Sequence, residues 1–204
     1  MATGFAIRDS AGDYRLNRGW LPSAPQEWLE RLKAAAHEEM VRLNTDLAET
    51  VSLASLFEDH IRVVHVIESP QQIRMSNYPD RILAPYASSR GKAVAAFQSP
   101  EKLQRLLSVY GIYATTPHSI TDPALIREEL ARVRERGWSK EREETVRGGC
   151  RFGVPMHIGG EPVRAAMSVS LPTFRLTERL EQRVPQLLLE AAARIAEKMV
   201  GSRR

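Results

Sequence analysis

The sequence predicts an α+β fold built on a mostly antiparallel sheet, and three observations carry that expectation. Helical and strand patterns are grouped rather than alternating: a helix, a strand pair, several helices, a second strand pair, a last helix. The paired strand segments are joined by links too short for a parallel crossover, so they pair antiparallel. The chain has 204 residues, 43% of them hydrophobic and 26% charged, enough for one core plus a short appendage at roughly 100–200 residues per domain. No internal repeat or low-complexity segment interrupts this order.

The first element is a hairpin. Phe5–Arg8 and Tyr14–Leu16 read as short strands around the turn residues Asp9-Ser10-Ala11-Gly12-Asp13. Leu21-Pro22-Ser23-Ala24-Pro25 is a linker. Glu27–Asp46 follows as an amphipathic helix with Trp28, Leu32, Ala35, Met40 and Leu43 near one face. Thr50–Leu56 and Ile61–Glu68 are strands, the second rich in β-branched residues, with Glu58-Asp59-His60 as the turn between them. A further strand is expected at Ile73–Ser76. Ser88 or Ser89 suits the N-cap of a short helix over Gly91–Phe97, and Ser99-Pro100-Glu101 opens another through Leu107. Thr121-Asp122-Pro123 places a capping residue before proline at the first helical position, and that helix stops at Gly137. Arg151–Ile158 and Val163–Leu171 are strands joined at Gly159-Gly160, and Thr177 begins a long helix ending near Gly201.

Composition excludes some classes. One cysteine allows neither a disulfide framework nor a multi-cysteine zinc site. No apolar run approaches the length a bilayer requires, so no membrane association is expected. Met1-Ala2-Thr3-Gly4-Phe5 lacks the basic and apolar character of a secretory leader, which leads to the expectation of a cytoplasmic protein. The 29 basic and 25 acidic residues give a net charge of +4, and they interleave as solvated helix faces do. Apart from Ser202-Arg203-Arg204 there is no basic cluster, so charge alone does not mark a DNA binder.

Few residues suggest catalysis. Cys150 with His65, His118 or His157 could form a nucleophile and base, but no third group stands at a telling position, and a buried small side chain is the simpler reading of Cys150. Glu141, Glu143 and Glu144 with His157 could hold a metal, yet no close two-ligand spacing supports it. The residues therefore point to no enzyme, no metal and no cofactor. Ser88-Ser89-Arg90-Gly91-Lys92 opens a helix and could favour an anion, though it lacks the spacing of a P-loop. On its own it reads as a cap with exposed charges. Gly148-Gly149 precede Arg151 and allow unusual backbone angles. Ser168 and Ser170 share one strand face by period two, and taken alone that face reads as solvent-exposed.

In order and spacing these stretches resemble the effector-binding domain of IclR-type bacterial transcriptional regulators, from about Trp28 to Val200. The resemblance is carried by Glu49–Ala54, Ala87–Ala93, Ile120–Pro123 with Leu130–Trp138, Glu144–Pro155 and Val163–Ser170. It implies a profilin- or GAF-like antiparallel sheet flanked by helices. Residues 1–20 then resemble the wing of a winged helix-turn-helix, 21–46 the linker and linker helix, and 47–204 the effector domain. The helices that precede such a wing are absent from the chain, so it looks like a truncated regulator or a fragment, with DNA bound only through the missing helix-turn-helix. The resemblance also implies a small organic acid as effector and self-association as a dimer or tetramer. Carried over residue by residue, the ligand positions are Met75, Leu83, Ser89, Arg90, Glu141, Gly149, Arg151, Ser168 and Ser170. Arg90 stands where the family often has a small residue, and Arg151 where a cysteine or small residue is common. Tyr86 and Asp80 stand where histidine and glycine are common. Two arginines in one pocket favour a dianion, unless one pairs with Glu141. An enzyme or small-molecule carrier on the same scaffold is the alternative.

Overall fold

The structure is a computed structural model that describes residues 6–8, 14–16 and 26–201. The expected turn at Asp9–Asp13, the linker Leu21–Pro25 and the tail Ser202–Arg204 lie outside the described residues. Strands β1 (Ala6–Arg8) and β2 (Tyr14–Leu16) form an antiparallel pair separate from the main sheet. Helix α1 spans Gln26–Leu47 and leads into β3 (Thr50–Phe57) and β4 (His60–Ile67). Then come β5 (Ile82–Leu83), α2 (Ser89–Ala95), α3 (Pro100–Tyr110), α4 (Pro123–Arg136), β6 (Ser139–Arg142), β7 (Gly149–Pro155), β8 (Ala165–Pro172) and α5 (Glu178–Gly201). The six-stranded sheet runs β5-β4-β3-β8-β7-β6, with every neighbouring pair antiparallel.

Period two divides the residues of the central strands between two different layers. Val51, Leu53, Phe152, Val154, Met167 and Val169 face α1 and α5 in one apolar core. Helix α1 buries Leu32, Ala36, Met40 and Leu43, spaced by three and four so that they share one stripe. Helix α5 answers with Val184, Leu188, Ala191, Ile195 and Met199. Each large apolar side chain buried this way contributes about 1.5–3 kcal/mol.

The opposite face is covered by α2, which one glycine lets approach the sheet and a second lets approach the turn before it. A Cβ on Gly153 of β7 would lie 2.9 Å from the backbone of Ser89, and one on Gly91 would lie 2.1 Å from the Ala84 carbonyl oxygen. Ser88 caps α2, its Oγ accepting from Gly91 N at 3.1 Å. Helix α4 begins and ends where its sequence signals stand: Asp122 caps it, Pro123 opens it, and Gly137 closes it with φ of 81°.

Four expectations are corrected. Ile73–Ser76 is not a strand; those residues are largely exposed, and the sheet edge is β5, paired with β4 through Ile61 and Arg62. The turn between β3 and β4 is shorter than expected, because His60 already pairs with Phe57. The short helix starts at Ser89 rather than Gly91, and β7 starts at Gly149 rather than Arg151. Strand β6 was not anticipated: Ser139-Lys140-Glu141-Arg142 carries no apolar alternation, and its pairing with β7 is what makes it a strand.

Candidate functional site

Between α2 and the sheet lies a polar layer. By strand register, Ser168 on β8 stands opposite Ser52 on β3 and Gly153 on β7, and Ser170 stands opposite Thr50 and Arg151. Ser52, Ser168 and Ser170 are fully buried. The solvent reading of the serine face is therefore overturned: α2 and the loop around Asn77 cover it. The exposed-cap reading of Ser88–Lys92 fails as well, since all five residues are buried, Arg90 at 2% exposure and Lys92 at 0%. Period two identifies which residues share a face, but it does not reveal what covers that face.

The buried charges here are of two kinds. Arg151 is paired: its Nη1 donates to Glu141 Oε2 and, at 3.0 Å, to Thr145 Oγ1. Glu141 Oε1 accepts from the Thr145 amide at 3.0 Å and hydroxyl at 3.1 Å, so the ion pair is closed by hydrogen bonds on both sides. Lys92 is paired too, donating to Glu144 Oε1 at 2.6 Å and to the Lys140 carbonyl at 3.1 Å. Burial holds the Glu144 carboxyl up to about 7, with Lys92 pulling it back.

Arg90 is of the other kind. Among the described residues its only hydrogen bond runs from Nη2 to Asn77 Oδ1 at 3.2 Å, and its buried Nε and Nη1 have no partner there. No carboxylate among the described residues pairs with it. Burial brings its pKa down to about 9, and the charges of Arg151 and Arg81 push the same way. The guanidinium is thus still protonated at neutral pH, desolvated and short of an anion. Ser89 Oγ and Ser170 Oγ are also buried without partners. Asn77, which holds Arg90, is itself held by Ser52, whose hydroxyl lies 3.3 Å from that of Ser168.

A cavity of about 70 Å³ opens beside this guanidinium. Leu83, Ala84 and Ala87 give it an apolar side; Thr115, Thr145 and Tyr110 give it hydroxyls; Arg81, Arg90 and Arg151 give it charge. Of the nine positions expected from the sequence, Leu83, Arg90 and Arg151 line it. Glu141, Ser168 and Ser170 stand behind the lining, in the buried polar layer. Ser89 receives Ser139 Oγ on its carbonyl at 2.6 Å, and a Cβ on Gly149 would lie 2.8 Å from Met75 Cε, which places that pair side by side. Asn77 and Arg81 were missed. Both sit between β4 and β5, and nothing in their local pattern announces that the stretch folds back beside the polar layer.

Helix α2 has seven residues, and its free Gly91 amide is taken by Ser88, so the Arg90 side chain rather than the helix start is the anion-seeking group. Cys150 faces the apolar core on the other side of the sheet, and burial pushes its thiol up to about 11. His65 pairs with His37 at 3.0 Å, and His157 packs edge-on against Phe97, so neither is placed to serve as its base. Among the described residues no three His, Cys, Asp or Glu side chains converge as a metal site requires. Among the same residues no helix is long and apolar enough to cross a membrane.

A family model described as bacterial transcriptional regulator IclR C-terminal matches residues 29–197. The HTH-type transcriptional regulator KdgR of Escherichia coli (strain K12) is 29% identical over 165 residues, which is 81% of this chain and 63% of that protein. The crystal structure of the C-terminal domain of E. coli KdgR superposes with a TM-score of 0.75 at 28% identity, covering 83% of this chain and 98% of that one. A double mutant of the PobR inducer-binding domain from Acinetobacter, in complex with 3-hydroxybenzoic acid, superposes with a TM-score of 0.71 at 26% identity, covering 80% and 96%. The chain spans 54–63% of the length of the first curated relatives it matches. The antiparallel sheet between two helical layers is the fold that the resemblance implied.

Proposed function

The chain belongs to the IclR family of bacterial transcriptional regulators, and on that premise we propose that it is the ligand-sensing part of such a regulator, taking a small organic acid beside Arg90. We assign residues 47–204 to the effector domain, 21–46 to the linker and linker helix, and 1–20 to the wing of a helix-turn-helix that contacts DNA. Effector binding would act on DNA through the conformation of a dimer or tetramer. The similarity to a domain solved with 3-hydroxybenzoic acid supports an acid as the effector.

The observation that carries the reading is Arg90. A guanidinium is seldom buried unless it is paired. Here it has one neutral partner and two idle donors beside a cavity. A bound carboxylate would supply the missing acceptors through charge-assisted hydrogen bonds. Closed two-fold symmetry is the usual route for self-association.

Thermal-shift titration of organic acids, each against its neutral amide, tests the site. Acids should stabilise the protein, amides should not, and Arg90→Met should abolish the difference. Amides that stabilise as well as acids would sink the proposal. Sedimentation as a monomer at micromolar concentration would end the self-association part.

A further inference from the structure

We propose that the acid taken by this cavity is a short dianion, with one carboxylate on Arg90 and the second on Arg81. This rests on the reading of the cavity as an acid site. Arg81, Arg90 and Arg151 line it, and no carboxylate side chain does. Arg151 is balanced by Glu141. Among the described residues, two positive charges therefore remain without an ion-pair partner in one small space, with Glu141 acting on Arg90 only at a distance.

The two are differently placed. Arg90 is buried, whereas Arg81 is half-exposed at the sheet edge. The backbone of Arg81 is fixed there: Val63 N donates to its carbonyl at 3.0 Å, and Asp80 N donates to Val63 O at 2.9 Å. The neighbouring Asp80 carboxylate is turned to Arg62, at 3.3 Å. The aromatic contact of the Arg81 guanidinium is the Tyr78 ring, 5.9 Å away, at the far limit of a cation–π contact. Arg81 and Arg90 are near enough to repel. A monoanion relieves one of these cations; a dianion relieves both, and their mutual repulsion as well.

Size agrees with charge. The cavity, about 70 Å³ and partly open, suits a short acid rather than a long one. A second carboxylate on so short a skeleton falls at the mouth, where Arg81 stands. Thr115 and Thr145 complete the wall, their hydroxyls already donated to the Glu144 carbonyl and to Glu141, so the arginines remain its anion-binding groups.

The test is titration calorimetry at low salt with two matched pairs, propionate against malonate and butyrate against succinate. The wild-type chain should hold the dianion of at least one pair about tenfold tighter, as close charge pairs in protein complexes do. Arg81→Met should bring that ratio to about one, and Arg81→Lys should restore part of it. Equal affinities within both pairs, or a preference that survives Arg81→Met, overturn the inference. If monoanions bind through Arg90 with no such preference, the acid-sensing function stands and only the dianion fails. If no acid binds, both fall.

Discussion

Arg151 and Phe152 are consecutive on β7 and face opposite sides of one sheet. Phe152 is fully buried among Val51, Val169, Leu188 and other apolar side chains under α1 and α5. Arg151 is almost as deeply buried, under α2, and is held by one carboxylate and one hydroxyl. The apolar face gains from area and packing, which are non-directional and add up. The polar face gains little net energy from its pairs, because desolvation offsets attraction. The difference assigns stability to one layer and, on the function proposed above, recognition to the other. Polar groups without a protein partner inside that buried layer would be available to a ligand.

The largest effect should come from the apolar face. Phe152→Ala leaves a cavity lined by apolar side chains that offer water no hydrogen bonds, and large-to-small core changes of this kind cost about 3–5 kcal/mol. Urea unfolding monitored by circular dichroism measures it. A loss below about 1 kcal/mol would mean that α1 and α5 collapse onto the sheet, and that the core is looser than its burial indicates.

The second effect separates the two arginines. Glu141→Gln leaves Arg151 buried without its counter-charge, and breaking a buried pair from one side costs about 3–5 kcal/mol. Arg90→Met removes a cation that has no counter-charge to lose, so the ligand-free protein should be at least as stable as wild type. Equal losses in the two variants would mean that Arg90 has a stabilising partner and that its unpaired state is not what it brings to the site.

Legibility in the sequence followed the range of the interactions. Helix α4 was readable to the residue because Asp122, Pro123 and Gly137 act within their own turn. The hydrophobic stripe of α1 was readable because Leu32, Met40 and Leu43 repeat with the helix period. Strand β5 was displaced, because two residues become a strand only through pairing with β4. Strand β6 was invisible for the same reason. Arg90 and Arg151 entered the candidate site through family resemblance, since local chemistry alone reads Ser88–Lys92 as exposed. Arg81 did not enter it, because its place in the cavity wall depends on how residues 68–81 run back past β4.

The third prediction concerns pH, and the two sides of the sheet should respond with opposite sign. Glu144 lies with Lys92 on the α2 side, and its carboxyl is raised from an ordinary 4.5 to about 7, chiefly by burial. A raised acid contributes stability that is full below about 4.5 and is lost as pH rises toward 7. His65 lies against α1, and burial, with His37 next, lowers its pKa below 6.5. A depressed histidine contributes stability that is full above 6.5 and is lost as pH falls. A single group changes the stability by at most about 1.4 kcal/mol per pH unit. Unfolding free energies of wild type and Glu144→Gln should therefore converge or cross between pH 5 and 7.5, with wild type falling relative to the variant as pH rises. Parallel curves would show that Glu144 keeps an ordinary pKa beside Lys92.

The smallest effect is the sharpest on the polar face, because it compares two hydroxyls two residues apart on β8. Ser168 Oγ lies 3.3 Å from Ser52 Oγ, in the chain that leads through Asn77 to Arg90. Ser170 Oγ is as deeply buried and has no partner. Deleting a made hydrogen bond costs about 1 kcal/mol, whereas deleting an unsatisfied buried hydroxyl costs nothing and can stabilise. Ser168→Ala should therefore lower the unfolding free energy by about 1 kcal/mol, and Ser170→Ala should leave it unchanged or raise it. In acid titrations Ser168→Ala should weaken binding slightly by loosening Asn77, whereas Ser170→Ala, at a position behind the cavity lining, should leave binding unchanged. Should Ser170→Ala destabilise the ligand-free protein as much as Ser168→Ala, its hydroxyl already has a partner, and the polar face would be as self-sufficient as the apolar one.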